Sequence, residues 1–76
     1  MKDVLEVVIK NLVDKQDEIS INEKENGKVV CYEVRVAKED MGKVIGKQGK
    51  IAQSIRTVMK AAGARENKKV SVEFIG

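Results

Sequence analysis

Gly46-Lys47-Gln48-Gly49 is the stretch of this chain best suited to chemistry. Glycine lacks a Cβ, so a turn bounded by two of them can bring its main chain close to another molecule. An apolar pair, Val44-Ile45, precedes the turn, and an amphipathic helix from about Lys50 follows it. A turn that opens into a helix presents unpaired N–H groups at the positive end of the helix dipole. With Lys43, Lys47 and Lys50 beside it, such a turn favours a phosphate.

The other residue types argue for holding a phosphate rather than transferring one. Gly42-Lys43-Val44-Ile45-Gly46-Lys47 has one residue too few between its glycines for a nucleotide-binding P-loop. Gln48 also stands where a magnesium-binding Ser or Thr belongs, and no strand leads into the turn. Val44 occupies the place of the first glycine in a dinucleotide fingerprint. Ser20, Ser54 and Ser71 have no histidine to activate them, so nucleophilic catalysis lacks its base. Glu39-Asp40 reads as a pair of helix-start residues. No enzyme activity and no cofactor are expected.

The chain has 76 residues, one cysteine (Cys31) and no histidine. That length sets one domain, residues 1–76, with one modest core. An intrachain disulfide framework and a Cys/His metal centre are both excluded. The net charge is +3, a mild excess whose placement matters more than its size. Residues 41–69 carry Lys43, Lys47, Lys50, Arg56, Lys60, Arg65, Lys68 and Lys69 against the single acid Glu66. The apolar run Val4–Val13 is broken by Glu6, Lys10 and Asn11 and is too short to span a bilayer. A reducing, cytoplasmic setting without membrane attachment is expected.

The elements that must position the turn follow from periodicity. Leu5, Val8, Ile9 and Leu12 mark one buried face of a helix over 2–14. Ile19 and Ile21 alternate with polar residues, which predicts a strand over 18–24. Asn26-Gly27 signals a hairpin, and the return strand runs over about 28–36 with Val30, Tyr32, Val34 and Val36 facing the core. A short helix begins near Lys38, with Met41, Val44 and Ile45 on its buried side, and stops at Gly46. The next helix runs from Lys50 to about Ala62, with Gly63 as its C-terminal stop. A last strand covers 69–75, with Val70, Val72 and Phe74 inward. The order α-β-β-α-α-β predicts an α+β fold. One antiparallel pair and one parallel pair form a three-stranded mixed sheet, with the helices packed on one face.

Val44-Ile45-Gly46-Lys47-Gln48-Gly49-Lys50-Ile51 resembles the signature of the KH domain, an RNA-binding module with a G-x-x-G loop between two helices. The element order is similar to the bacterial, type II arrangement. Glu39 to Ala52, followed by Ile55-Arg56-Thr57-Val58, resembles the small single-KH bacterial KhpA family, and the likeness covers essentially the whole chain. Gln16 departs from it, standing where that family has proline.

The resemblance implies single-stranded RNA as partner, gripped by Gly46, Lys47, Gln48 and Gly49, with Lys43 and Lys50 in support. Ile45, Ile51 and the loop from Arg65 to Lys69 are candidates for lining the groove. Arg56 is a further RNA-binding candidate that equally suits an interface or a salt bridge. Ile45 and Ile51 also suit the core. With Tyr32 and Phe74 both on the core face, base stacking on aromatic platforms is not expected. The resemblance further implies a homodimer, a larger KhpB partner (also called Jag or EloR), and a post-transcriptional or RNA-chaperone role touching cell shape. No small-molecule substrate is implied. The competing reading is a protein–protein adaptor or dimerisation module with vestigial RNA contact.

Overall fold

A computed structural model describes residues 1–75. Helix α1 (Lys2–Leu12) buries Leu5 and Ile9, and a short 3-10 turn at Gln16–Glu18 leads into strand β1 (Ser20–Asn26). Strand β2 (Val29–Arg35) returns antiparallel, with Asn26 opposite Val29. A 3-10 turn at Lys38–Asp40 opens helix α2 (Met41–Ile45), which ends at Gly46. A further 3-10 turn, Lys47–Gly49, connects it to helix α3 (Lys50–Arg65), and strand β3 (Lys69–Ile75) closes the chain.

Among the described residues the sheet has three strands in the order β1-β2-β3, and β2 pairs with β3 in parallel. The mixed sheet and the α-β-β-α-α-β order are those the periodicity predicted. The core joins Leu5 and Ile9 of α1, Val30, Tyr32 and Val34 of β2, Val44, Ile55 and Met59 of the later helices, and Val70 and Val72 of β3. Burying these side chains against one face of the sheet supplies the main favourable free energy of so short a chain.

Four boundaries differ from the sequence reading, each for a local reason. Helix α1 stops at Leu12, because Val13 is extended (φ −106°, ψ 153°). The first strand starts two residues later and runs to Asn26, so the hairpin's central residues are Gly27-Lys28. Gly27 has φ 62° and Lys28 is not among the positive-φ residues, a type II′ turn with glycine first.

Gly63 lies inside α3 rather than beyond its end. A Cβ there would come within 2.3 Å of Val70 Cγ2 and 2.9 Å of the Lys68 carbonyl, so glycine serves the close packing of α3 on β3. The helix ends at Arg65, and Asn67, just beyond the Glu66 cap, takes φ 58°. The Lys68 and Asn67 amides donate to the Gly63 and Ala64 carbonyls at 2.8 and 3.1 Å, a Schellman motif with asparagine in the left-handed place. Glu39 and Asp40 make tertiary contacts and provide no side-chain cap to α2.

Candidate nucleic-acid interface

The two loop glycines are needed for different reasons. Gly46 has φ 75° and ψ 176°, a region open essentially to glycine alone. A Cβ on it would lie 2.5 Å from Ile51 Cγ1. The missing side chain therefore admits Ile51 from the protein's own helix. Gly49 has φ 74° and ψ 12°, and a Cβ there would meet nothing within 4 Å. Only this second glycine leaves its bare flank facing open space. Between them Gln48 sits at φ 58°, ψ 26°, a left-handed conformation that costs a non-glycine residue about 1–2 kcal/mol.

The loop's donors divide the same way. The Gly46 amide donates to the Gly42 carbonyl at 2.9 Å and the Gly49 amide to the Gly46 carbonyl at 3.2 Å. The Lys50 amide donates to the Lys47 carbonyl. The amides of Lys47 and Gln48 have no acceptor among the described residues, and both residues are exposed. Two adjacent free N–H groups thus stand at the start of a 16-residue helix, where the dipole favours an anion.

The charged side chains separate into free and engaged sets. Lys47 and Lys50 are exposed and have no acidic partner among the described residues. Lys43 is ion-paired with Asp14 and lies 3.4 Å from Asp40. Its hydrogen bond to Asp14 holds the ammonium above the usual lysine range. Asp40 is only 2% exposed, and its Oδ2 accepts the Lys15 amide at 3.0 Å. That backbone hydrogen bond holds its carboxyl below the usual range. Lys15 also pairs with Glu39. These contacts clamp the segment after α1 onto the start of α2, a helix of five residues too short to hold itself in place. Lys43 lies in this clamp and is not among the free cations beside the loop.

The remaining candidates lie on two flanks of α3. Ile51 is half-buried beneath the loop and, with Val8, Leu12, Val58 and Met59, lines an apolar cleft against α1. Ile45 is 36% exposed at the end of α2. Arg56 turns the other way, toward β3. Its Nε donates to the Val72 carbonyl at 3.1 Å, and its guanidinium carbon lies 5.6 Å from the Phe74 ring centre. Phe74 is half-buried beneath it, whereas Tyr32 is fully buried. Lys60, Lys68 and Lys69 line a concavity at the far end of the same flank. Arg56 thus joins α3 to the edge of the sheet, a contact that residue spacing alone does not reveal.

Among the described residues no group of His, Cys, Asp and Glu side chains is arranged to hold a metal ion, and no helix is long and apolar enough to cross a membrane.

A mixed sheet in α-β-β-α-α-β order, with a G-x-x-G loop joining its second and third helices, defines a KH domain of the type II arrangement. Residues 2–74 match the KhpA/KhpB KH-domain family. The chain belongs to that family. It is 53% identical over 75 residues to RNA-binding protein KhpA of Clostridium perfringens, covering 99% of this chain and 100% of the relative. The protein of the same name from Clostridium acetobutylicum is 55% identical with the same coverage. That of Chlamydia caviae is 45% identical over 99% of this chain and 96% of its own. No solved structure matches the chain.

Proposed function

We propose that this chain binds single-stranded RNA without catalysis, through the Gly46–Gly49 loop and the start of α3. The observation that carries this reading is the pair of free amides on Lys47 and Gln48, set beside the unpaired ammonium groups of Lys47 and Lys50. Together they offer directional donors and positive charge to the phosphates of one strand. The relatives' name, RNA-binding protein, supports the same reading. Gly49 lets the strand approach the main chain closely, and Ile45 offers it an apolar contact. A site this small contacts few phosphates, so useful affinity comes from a second groove, supplied by another copy of the chain or by a KhpB-type KH protein. The setting is cytoplasmic and the role post-transcriptional, as a regulator or RNA chaperone.

The adaptor reading draws on a different face. Val4, Val7 and Val58 on α1 and α3 are 41%, 59% and 48% exposed, and Val58 lines the apolar cleft between the two helices. Apolar surface of this kind marks sites of protein association.

Replacing Lys47 and Gln48 together with aspartate tests the RNA reading. Asp tolerates the left-handed conformation at position 48 better than most residues, so the fold should persist by circular dichroism. RNA retention on filters should be lost. A folded double variant with wild-type RNA affinity would defeat the loop model.

A further inference from the structure

The two edges of the sheet are finished differently. At the β3 edge Arg56 Nε donates to the Val72 carbonyl at 3.1 Å and its guanidinium lies over Phe74, so main chain there is already engaged. At the β1 edge no side chain among the described residues hydrogen-bonds to the main chain. The hairpin decides which groups this leaves free. Asn26 pairs with Val29 across the two-residue turn, so Asn22, Lys24 and Asn26 exchange hydrogen bonds with β2. The N–H and C=O groups of Ile21, Glu23 and Glu25 then point away from the sheet. From Ile21 to Glu25 this free edge runs about 14 Å. Every residue of β1 except Ile21 is exposed.

The charge on this edge narrows what can pair with it. Glu25 is ion-paired with Lys68, and Lys24 lies 3.5 Å from Glu33. Asp17, Glu18 and Glu23 are exposed and have no cationic partner among the described residues. Glu23 stands midway along β1, opposite Tyr32, whose buried hydroxyl lacks a hydrogen-bond partner. Burial raises the pKa of that hydroxyl, and the carboxylates of Glu23, Glu66 and Glu25 raise it further. The surroundings of Glu23 are therefore negative.

Charges on an edge strand keep like edges apart, and here they work against a second copy of the chain. Antiparallel pairing of β1 with itself about Glu23 sets that residue against itself. Pairing about Lys24 sets Glu23 against Glu25 and Lys24 against itself. A strand of opposite sign meets attraction at the same positions, because facing opposite charges stabilise a strand pair and like charges destabilise it.

We infer that the free edge of β1 docks an extended segment of another protein rich in lysine and arginine, which adds a fourth strand to the sheet. Its main chain pairs with Ile21, Glu23 and Glu25, and its cationic side chains face Glu23 and the Asp17–Glu18 turn. Main-chain hydrogen bonds supply affinity in this mode, and alternate side chains supply selectivity. RNA on the glycine loop is not required for this docking.

The test uses the full chain, labelled with nitrogen-15, and two synthetic peptides. One is acetyl-Thr-Lys-Val-Arg-Val-Lys-Thr-amide, and the other carries glutamate at its three basic positions. Amide hydrogen exchange is read residue by residue by NMR. With the basic peptide at ten times its dissociation constant, exchange at the Ile21, Glu23 and Glu25 amides should slow by about tenfold. The acidic peptide should leave it unchanged. E23K should weaken the basic peptide by about threefold or more, whereas D3K, the same charge change on α1, should not. No protection of these three amides at millimolar basic peptide, equal protection by the acidic peptide, or equal weakening by D3K would overturn the docking edge. So would protection of the same amides in the free protein that grows with its concentration, which assigns the edge to a second copy.

Discussion

Ile51 fills the space that a side chain on Gly46 would need, its Cγ1 lying 2.5 Å from where that Cβ would stand. The glycine and the isoleucine form one unit. The chain turns sharply at Gly46, and Ile51 reaches back under the turn to close it. The loop's shape is thus set from inside the protein, before any ligand arrives.

Gly46→Ala should therefore destabilise the fold by about 2–5 kcal/mol, combining a backbone conformation closed to alanine with overpacking against Ile51. Gly49→Ala, which has only its left-handed backbone to contend with, should cost about 1 kcal/mol. Urea melts compare the two. Adding Ile51→Ala should relieve part of the Gly46→Ala cost and leave the Gly49→Ala cost alone, because only the first pair is in contact.

Lys43 and Lys47 should behave differently although they are four residues apart. Lys43 is held between Asp14 and Asp40, whereas Lys47 is free. Lys47→Ala should lower the salt slope of RNA binding by about 0.7. Lys43→Ala should leave the slope at the wild-type value and lower the thermal midpoint instead. Equal slopes in the two variants would contradict this division.

Asp40 should make stability depend on acid pH. Its hydrogen bond from the Lys15 amide lowers the folded-state pKa, so its contribution is full above the unfolded value of about 3.9 and is lost as pH falls through the folded one. Asp40→Asn keeps an acceptor for the Lys15 amide but cannot titrate. The variant should show a flatter loss of stability below about pH 4 than the wild type in acid titrations followed by circular dichroism. Lys43 works in the opposite sense. Its raised pKa gives stability that is present below about pH 10.4 and lost as pH rises through the folded value.

Tyr32 carries the one buried side-chain polar atom without a hydrogen-bond partner among the described residues. Burial, reinforced by Glu23 across the strand pair, pushes its pKa well above the ordinary value. The folded state thus keeps the phenol proton above about pH 10, and stability falls as pH rises past that point. Its ultraviolet titration should coincide with alkaline unfolding rather than precede it. Tyr32→Phe removes the unpartnered hydroxyl and should leave stability unchanged or raise it by up to about 1 kcal/mol in urea melts.

The large features of the fold were readable because they are periodic. Leu5-Val8-Ile9-Leu12 repeats at helical spacing and Val30-Tyr32-Val34 at strand spacing, and each pattern names the face that must leave water. The β-α-α-β succession then forces a parallel pair, and the short hairpin forces an antiparallel one. Glycine was harder to read, since a single residue type serves several purposes. Gly46 and Gly63 are required by neighbours that only the folded chain brings near, Ile51 and Val70. The left-handed residue just beyond α3 is Asn67, whose conformation is stabilised by the carbonyls of Gly63 and Ala64.

The candidate site divides along the same line. Residue order alone placed a bare, basic turn at the head of an amphipathic helix, because both properties are local. Which cations are free was decided in three dimensions. Asp14 and Asp40 reach Lys43 from different elements, Val72 and Phe74 hold Arg56 at the sheet edge, and Glu25 takes Lys68 but not Lys60 or Lys69. Asp40 stands only one helical turn from Lys43, but the other partners lie between 16 and 43 residues away along the chain, and such contacts depend on distance through space, which no spacing rule matches.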